Sequence, residues 1–162
     1  MGTQVKNRVR FLQLVVLVLF CAVSTTSCCG SPGAANDPFE QNRRLGRGIN
    51  LGNALEAPSE GAWGVVLQEE YFQAIKDAGF DSIRVPIRWS AHADDTAPYV
   101  IDPAFFERVD WVVDQALSRE LLVVINVHHY EEIMRNPAEH RERLLALWSR
   151  IGERYQDQPS DL

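Results

Sequence analysis

The residues best placed to do chemistry begin with an arginine in the middle of an apolar run. The segment Ser82-Ile83-Arg84-Val85-Pro86-Ile87-Arg88 alternates in character. Successive side chains of an extended strand take opposite faces. Ile83, Val85 and Ile87 therefore share one face, and Ser82, Arg84, Pro86 and Arg88 share the other. A guanidinium facing a low-dielectric interior needs an acidic partner, because an unpaired buried charge is costly. The strand holds no acid, so Arg84 predicts a carboxylate projecting inward from a different strand.

A second apolar run, Leu121 to His129, repeats the pattern. Val124, Asn126 and His128 fall on one face, and Val123, Ile125, Val127 and His129 on the other. Asn126 and His128 stand near the carboxyl end, and His129 and Tyr130 follow at once. Adjacent histidines on a strand point to opposite faces, which makes a shared metal awkward. Asn50 and Asn53 are poor additions to such a site, so no metal is expected. Asn53, Glu56, Glu60 and Trp63 lie together after an earlier run. Amides and carboxylates of this kind can hydrogen-bond hydroxyl groups, and an indole can stack on a sugar face.

Positioning these groups needs strands whose carboxyl ends meet. Gly48 to Asn53 reads as a first strand. A helix from about Leu67 to Ala78 follows, with Leu67, Tyr71, Ile75 and Ala78 as its apolar side and Gly79 as its stop. Ser82 to Ile87 is the second strand. Asp102-Pro103 then gives an N-cap and a proline at the first helical position. That helix reaches about Arg119, with Phe106, Val109, Val113, Ala116 and Leu117 on one side. Leu121 to His129 is the third strand. A last helix, about Ala138 to Tyr155, carries Leu144, Leu147, Trp148 and Ile151. Strand–helix alternation implies an α/β fold with a parallel sheet. No glycine-rich phosphate loop follows any strand. Long loops follow the strands' carboxyl ends and short returns join helix to strand, the layout of a (β/α)₈ barrel whose site is built on those long loops. With 162 residues against the roughly 250 of a whole barrel, three β/α units are expected.

The first 30 residues hold Lys6, Arg8 and Arg10, no acid, and an apolar run from Phe11 to Val23. A small polar stretch, Ser24 to Ser27, follows. This is the order of a secretory signal peptide, and the run is short for a membrane span of about 20 residues. Residues 1–29 are assigned to the signal and 30–44 to a linker and amino-terminal segment. The expected location is extracellular or periplasmic, and Cys28 or Cys29 offers a lipidation site as the alternative. The three cysteines lie in or beside the signal, so disulfides do not support the globular part. The first 30 residues carry three of the 16 basic residues and none of the 22 acids, so their removal takes the formal charge from −6 to −9. Such a surface argues against nucleic acid or anionic membrane as a partner. It suits a neutral polymer.

The stretches RGINLGNALEAPSEGAWG, IRVPIRWS, VVINVHHYEE and HRERLLALW resemble the amino-terminal part of glycoside hydrolase family 5 endoglucanases. The likeness is closest to those of thermophilic bacteria, some of which also cut mannan. It implies that residues 45–162 are part of a TIM-barrel catalytic domain acting on a β-1,4-glucan without cofactor, metal or protein partner. It also implies a retaining mechanism with two glutamates. The first of these follows an Asn and precedes a Pro in the family, and this sequence has no Asn-Glu-Pro. Both glutamates are therefore expected beyond Leu162, and the 162-residue chain is expected to be inactive and poorly soluble alone.

By the same resemblance Arg84 is the arginine that contacts the nucleophile, and His128 borders the cleavage subsite. Asn53, Glu56, His129 and Tyr130 are expected to contact sugar, and Pro86 and Trp89 to form the site wall. Glu60, Asp94, Asp95, Glu131 and Glu132 also lie on strand-end loops, but the family places its catalytic pair elsewhere. A carbohydrate-binding barrel without catalysis and a metal-dependent barrel hydrolase are the alternatives.

Overall fold

A computed structural model describes residues 37–159 and 161–162. The signal segment and the three cysteines lie outside the described residues. Helix α1 (Pro38–Leu45) comes first, capped by the Asp37 carboxylate, which accepts from the Phe39 N–H at 3.0 Å. This helix falls in the stretch assigned to the linker and amino-terminal segment. Gly46 stops it at φ +48, where a Cβ would collide with the Asp81 carboxylate. Then come β1 (Gly48–Asn50), α2 (Glu69–Asp77), β2 (Ser82–Ile87), a 3₁₀ turn (Trp89–His92) and α3 (Pro103–Leu117). The chain continues through β3 (Leu122–Val127), α4 (Glu131–Arg135) and α5 (Pro137–Tyr155). No helix among the described residues is long and apolar enough to cross a membrane.

The sheet is parallel, in the order β1-β2-β3. Sequential order gives no reversal point of the doubly wound kind, and agrees with the layered β/α expectation. Asn50 pairs with Arg84, Arg84 with Val124, and Pro86 with Asn126. The Leu51 N–H donates to the Arg84 carbonyl at 2.9 Å. The next rung from β2 toward β1 would need an N–H at position 86, which proline lacks. The β1 ladder stops there and the chain turns into its long loop. Pro86 thus decides where the first strand-end loop begins.

The core fills the space between sheet and helices. Ile83, Val85 and Ile87 cluster there with Phe72 and Ile75 of α2, Val109, Val112 and Val113 of α3, and Leu147 and Ile151 of α5. Each such side chain contributes about 1.5–3 kcal/mol when fully buried. Two expected apolar faces need correction. On α2 the buried residues are Phe72 and Ile75, while Tyr71 and Ala78 are exposed. The helix starts at Glu69, after an extended Gln68, so Leu67 was no valid origin for the count. On α5 Trp148 is 45% exposed, and Arg143 joins the buried residues instead. On α3 Val109, Val113 and Ala116 are buried as expected, Phe105 and Val112 join them, and Phe106 and Leu117 are only partly buried against the core.

Candidate active site

Arg84 projects from the side of β2 away from the core. It is half-buried, and its Nη1 donates to the Asn50 amide oxygen on β1 at 3.1 Å. Among the described residues its side-chain partner is this neutral amide, and no carboxylate reaches it. Val124, beside Arg84 on the same face, is 39% exposed. The guanidinium therefore meets solvent and a neutral amide, and it takes part in none of the ion pairs among the described residues. Of its five N–H donors, one is engaged by Asn50, and no other side-chain partner of Arg84 occurs among the described residues.

The end of β3 brings His128 and His129 to this rim. The His128 N–H continues the ladder by donating to the Ile87 carbonyl at 2.8 Å. Its ring lies 4.3 Å from that of His129. Burial, then the charges of His129 and Arg84, push the His128 imidazole below its ordinary value, and Glu56 opposes the shift. His129 has φ +52, an uncommon conformation for a residue with a side chain. Glu131 braces this corner. Its carboxylate accepts from Arg88 Nη2 at 2.6 Å and lies 3.9 Å from His129 Nδ1.

Tyr130 does not join the rim. It is 5% exposed, its hydroxyl lies 3.1 Å from His140 Nδ1, and the Arg143 guanidinium sits over its ring at 5.4 Å. The expected sugar contact is thus a packing group of the β3–α4 junction. Trp89 is corrected likewise. It is fully buried against Phe105 and Phe106 of α3, so it backs the site and does not wall it. Pro86 is buried within the sheet.

The β1–α2 loop is organised by its own acids. Glu56 is buried, and its two oxygens accept from the Asn53 N–H at 2.6 Å and the Ala54 N–H at 3.0 Å. Its first role is to fold the loop, so the expected free hydrogen-bonding arm is not what the loop presents. Asn53, at φ +65 and exposed, is the residue that this turn offers outward. Glu60 accepts from Arg108 at 2.8 and 2.9 Å and from the Leu67 N–H at 2.9 Å. Partial burial works against ionisation of Glu60. The Arg108 hydrogen bonds, the Leu67 amide and the Arg108 charge outweigh it, and the carboxyl lies below its usual range.

Sequence reasoning missed Arg143. It is buried, and donates to the Asp94 carbonyl at 3.1 Å and to the Ser90 and Ala93 carbonyls at 2.9 Å each. It also pairs with the Asp95 carboxylate at 2.9 Å. One guanidinium thus ties α5 to the β2–α3 loop and, through Tyr130, to the end of β3. The signal was present, since Arg143, Leu147 and Ile151 recur at helical spacing on one stripe. Of the strand-end acids, Glu56, Glu60, Asp95 and Glu131 are each committed to a backbone or arginine partner. Asp94 is exposed, with its backbone held by Val100 and Arg143. No group of three metal-binding side chains occurs among the described residues.

Residues 46–162 match the family description "Cellulase (glycosyl hydrolase family 5)". Endoglucanase H of Acetivibrio thermocellus is 43% identical over 139 residues, which cover 86% of this chain and 15% of that protein. Cel5A of Thermotoga maritima, solved with mannotriose and with cellobiose, superposes with a TM-score of 0.77 at 61% identity. That match covers 78% of this chain and 41% of the solved one. The chain spans less than half the length of each of these relatives.

Proposed function

Because the chain belongs to glycosyl hydrolase family 5, we propose that it supplies the arginine–histidine side of the cleavage site of an exported enzyme. That enzyme hydrolyses internal β-1,4 links of glucan with retention of configuration. The observation that carries this reading is Arg84, on the face of β2 away from the core, hydrogen-bonded to Asn50 and close enough to His128 to influence its charge. A guanidinium so placed holds an incoming carboxylate ionised, as a nucleophile requires. His128, whose charged form burial and the neighbouring cations disfavour, can accept from or donate to a sugar hydroxyl. Retaining hydrolysis needs two carboxyl groups about 5–5.5 Å apart. Glu56, Glu60, Asp95 and Glu131 are committed to amides and arginines, so we assign neither catalytic role to them.

Mannan as a second substrate is supported by the mannotriose complex of the Thermotoga relative. Export is supported by the basic, apolar and small-polar order of residues 1–29. The test is hydrolysis of carboxymethylcellulose and glucomannan by the full-length protein, with the anomeric product followed by proton NMR. The expected result is chain scission with the β-anomer formed first. Binding of the polymers without scission would favour a carbohydrate-binding barrel, and loss of activity on chelation would favour a metal-dependent hydrolase. Either result overturns the proposal.

A further inference from the structure

Past the end of β3 the chain goes from exposed to buried within one residue. His129 faces solvent, and Tyr130 is enclosed. Before His129 the chain is pinned by the ladder, where the His128 N–H donates to the Ile87 carbonyl. After it the chain is pinned by Tyr130, which α5 grips with two side chains. The Tyr130 hydroxyl shares a hydrogen bond with His140 Nδ1 at 3.1 Å, and the two rings meet edge-to-face with centroids 5.6 Å apart. The Arg143 guanidinium sits over the tyrosine ring at 5.4 Å. His140 and Arg143 stand three residues apart, as neighbours on one side of the helix. Arg143 cannot swing away without giving up the Ser90, Ala93 and Asp94 carbonyls to which it donates.

Between these two fixed points His129 takes φ +52. A residue with a side chain stays in that region only where its surroundings over-determine it. The conformation brings the His129 ring to 4.3 Å from that of His128 and its Nδ1 to 3.9 Å from the Glu131 carboxylate. A relaxed φ would redirect the chain and carry the ring away from both. We propose that Tyr130, gripped by His140 and Arg143, is a positioning residue that holds His129 in its left-handed turn and so sets the His128–His129 pair beside Arg84. The inference rests on the function proposed above. It gives Tyr130 no contact with sugar, and makes a buried junction behind the rim part of what keeps the rim in working order.

The experiment compares wild type, Tyr130→Leu, Tyr130→Phe and His140→Ala of the full-length protein in two readouts, each taken well below the variant's melting temperature. The first is steady-state kinetics on cellopentaose. Tyr130→Leu should lower kcat about 10-fold and change KM by less than about twofold. Tyr130→Phe keeps the ring under Arg143 and should lose only about threefold. His140→Ala removes the same hydrogen bond from the helix side and should match it. The double variant Tyr130→Phe/His140→Ala should be no slower than either single one, because one bond is lost in all three. The second readout is the NMR titration of His128, whose midpoint is lowered in part by the His129 charge. It should rise in Tyr130→Leu as the His129 ring departs. A packing role alone would lower the melting temperature and leave kcat and the midpoint at their wild-type values, and that result would overturn the inference while leaving the glucanase reading intact. If Tyr130→Leu does not unfold cooperatively, Tyr130→Phe and His140→Ala decide, and wild-type kcat in both overturns the inference. No hydrolysis by wild type would remove the reaction being served, and the inference with it.

Discussion

The two faces of β2 come from alternate residues of one six-residue strand and obey different physics. Ile83, Val85 and Ile87 are buried to within 1% against three helices. Arg84, between them in sequence, meets solvent and one amide. On the first face any polar atom is an intruder, and identity is set by volume. On the second, an expensive residue is kept although it does almost nothing for the core. The difference teaches where stability and chemistry are separable in this molecule, and that separation is open to attack from both sides.

The harshest test is Val85→Asp. An unpaired carboxylate placed among Ile83, Ile87 and the helices should remove more than about 4 kcal/mol of stability, enough to abolish cooperative unfolding in a urea titration. A variant within about 1 kcal/mol of wild type would show that the helix-side face is not the sealed core described. The matching change on the other face is Arg84→Met. In the 162-residue chain it should alter stability by less than about 1 kcal/mol, because only the Asn50 contact is lost there at a solvated position. It should also lower kcat/KM of the full-length enzyme on carboxymethylcellulose about 10²- to 10³-fold. If stability and activity fall together, Arg84 is a structural residue and the contrast between the faces collapses.

A smaller effect is expected from Glu60→Gln, which probes how far the strand-end loops resemble the core. The Glu60–Arg108 pair is about three-quarters removed from solvent, so its charge-assisted bonds should contribute about 1 kcal/mol at neutral pH. The Glu60 carboxyl lies below its usual range in the folded chain. Its contribution is therefore fully present above the unfolded value of about 4.3 and is lost as pH falls through the lower folded value. Wild type and Glu60→Gln should differ in urea midpoint at pH 7 and converge toward pH 3. A constant difference across that range would show that the loss is packing and not charge.

What the sequence disclosed follows the same division. The alternation of β2 was legible because a period of two is a local property, and Asp102-Pro103 marked α3 through a cap made within three residues. The identical signal at Asp37-Pro38 marks α1, and it went unread because the surrounding glycines, prolines and alanines suggested a linker. Partners distant in sequence were not legible. Tyr130 looked like a sugar contact until His140 and Arg143 enclosed it. Glu56 looked free until the turn at Asn53 brought two amide N–H groups onto it. Arg143 announced itself only as a cation on an apolar stripe, and nothing local told which carbonyls it would satisfy.

The smallest expected effect is also the most direct probe of the open face, because it needs no substrate. His128 is held below its ordinary imidazole value first by burial, then by the charges of His129 and Arg84, while Glu56 pulls the other way. Its NMR titration midpoint should therefore lie below about 6.5. Arg84→Met removes one of the repelling charges and should raise the midpoint, and Glu56→Gln should lower it. For stability the sign is that of a depressed histidine. The folded state is penalised as pH falls through the unfolded value toward the lower folded one, because the unfolded chain takes up the proton first. Arg84→Met should soften that acid penalty. A midpoint that ignores Arg84 would mean that the arginine and the histidine do not share a field, and the open side of the sheet would then be two separate surfaces instead of one site.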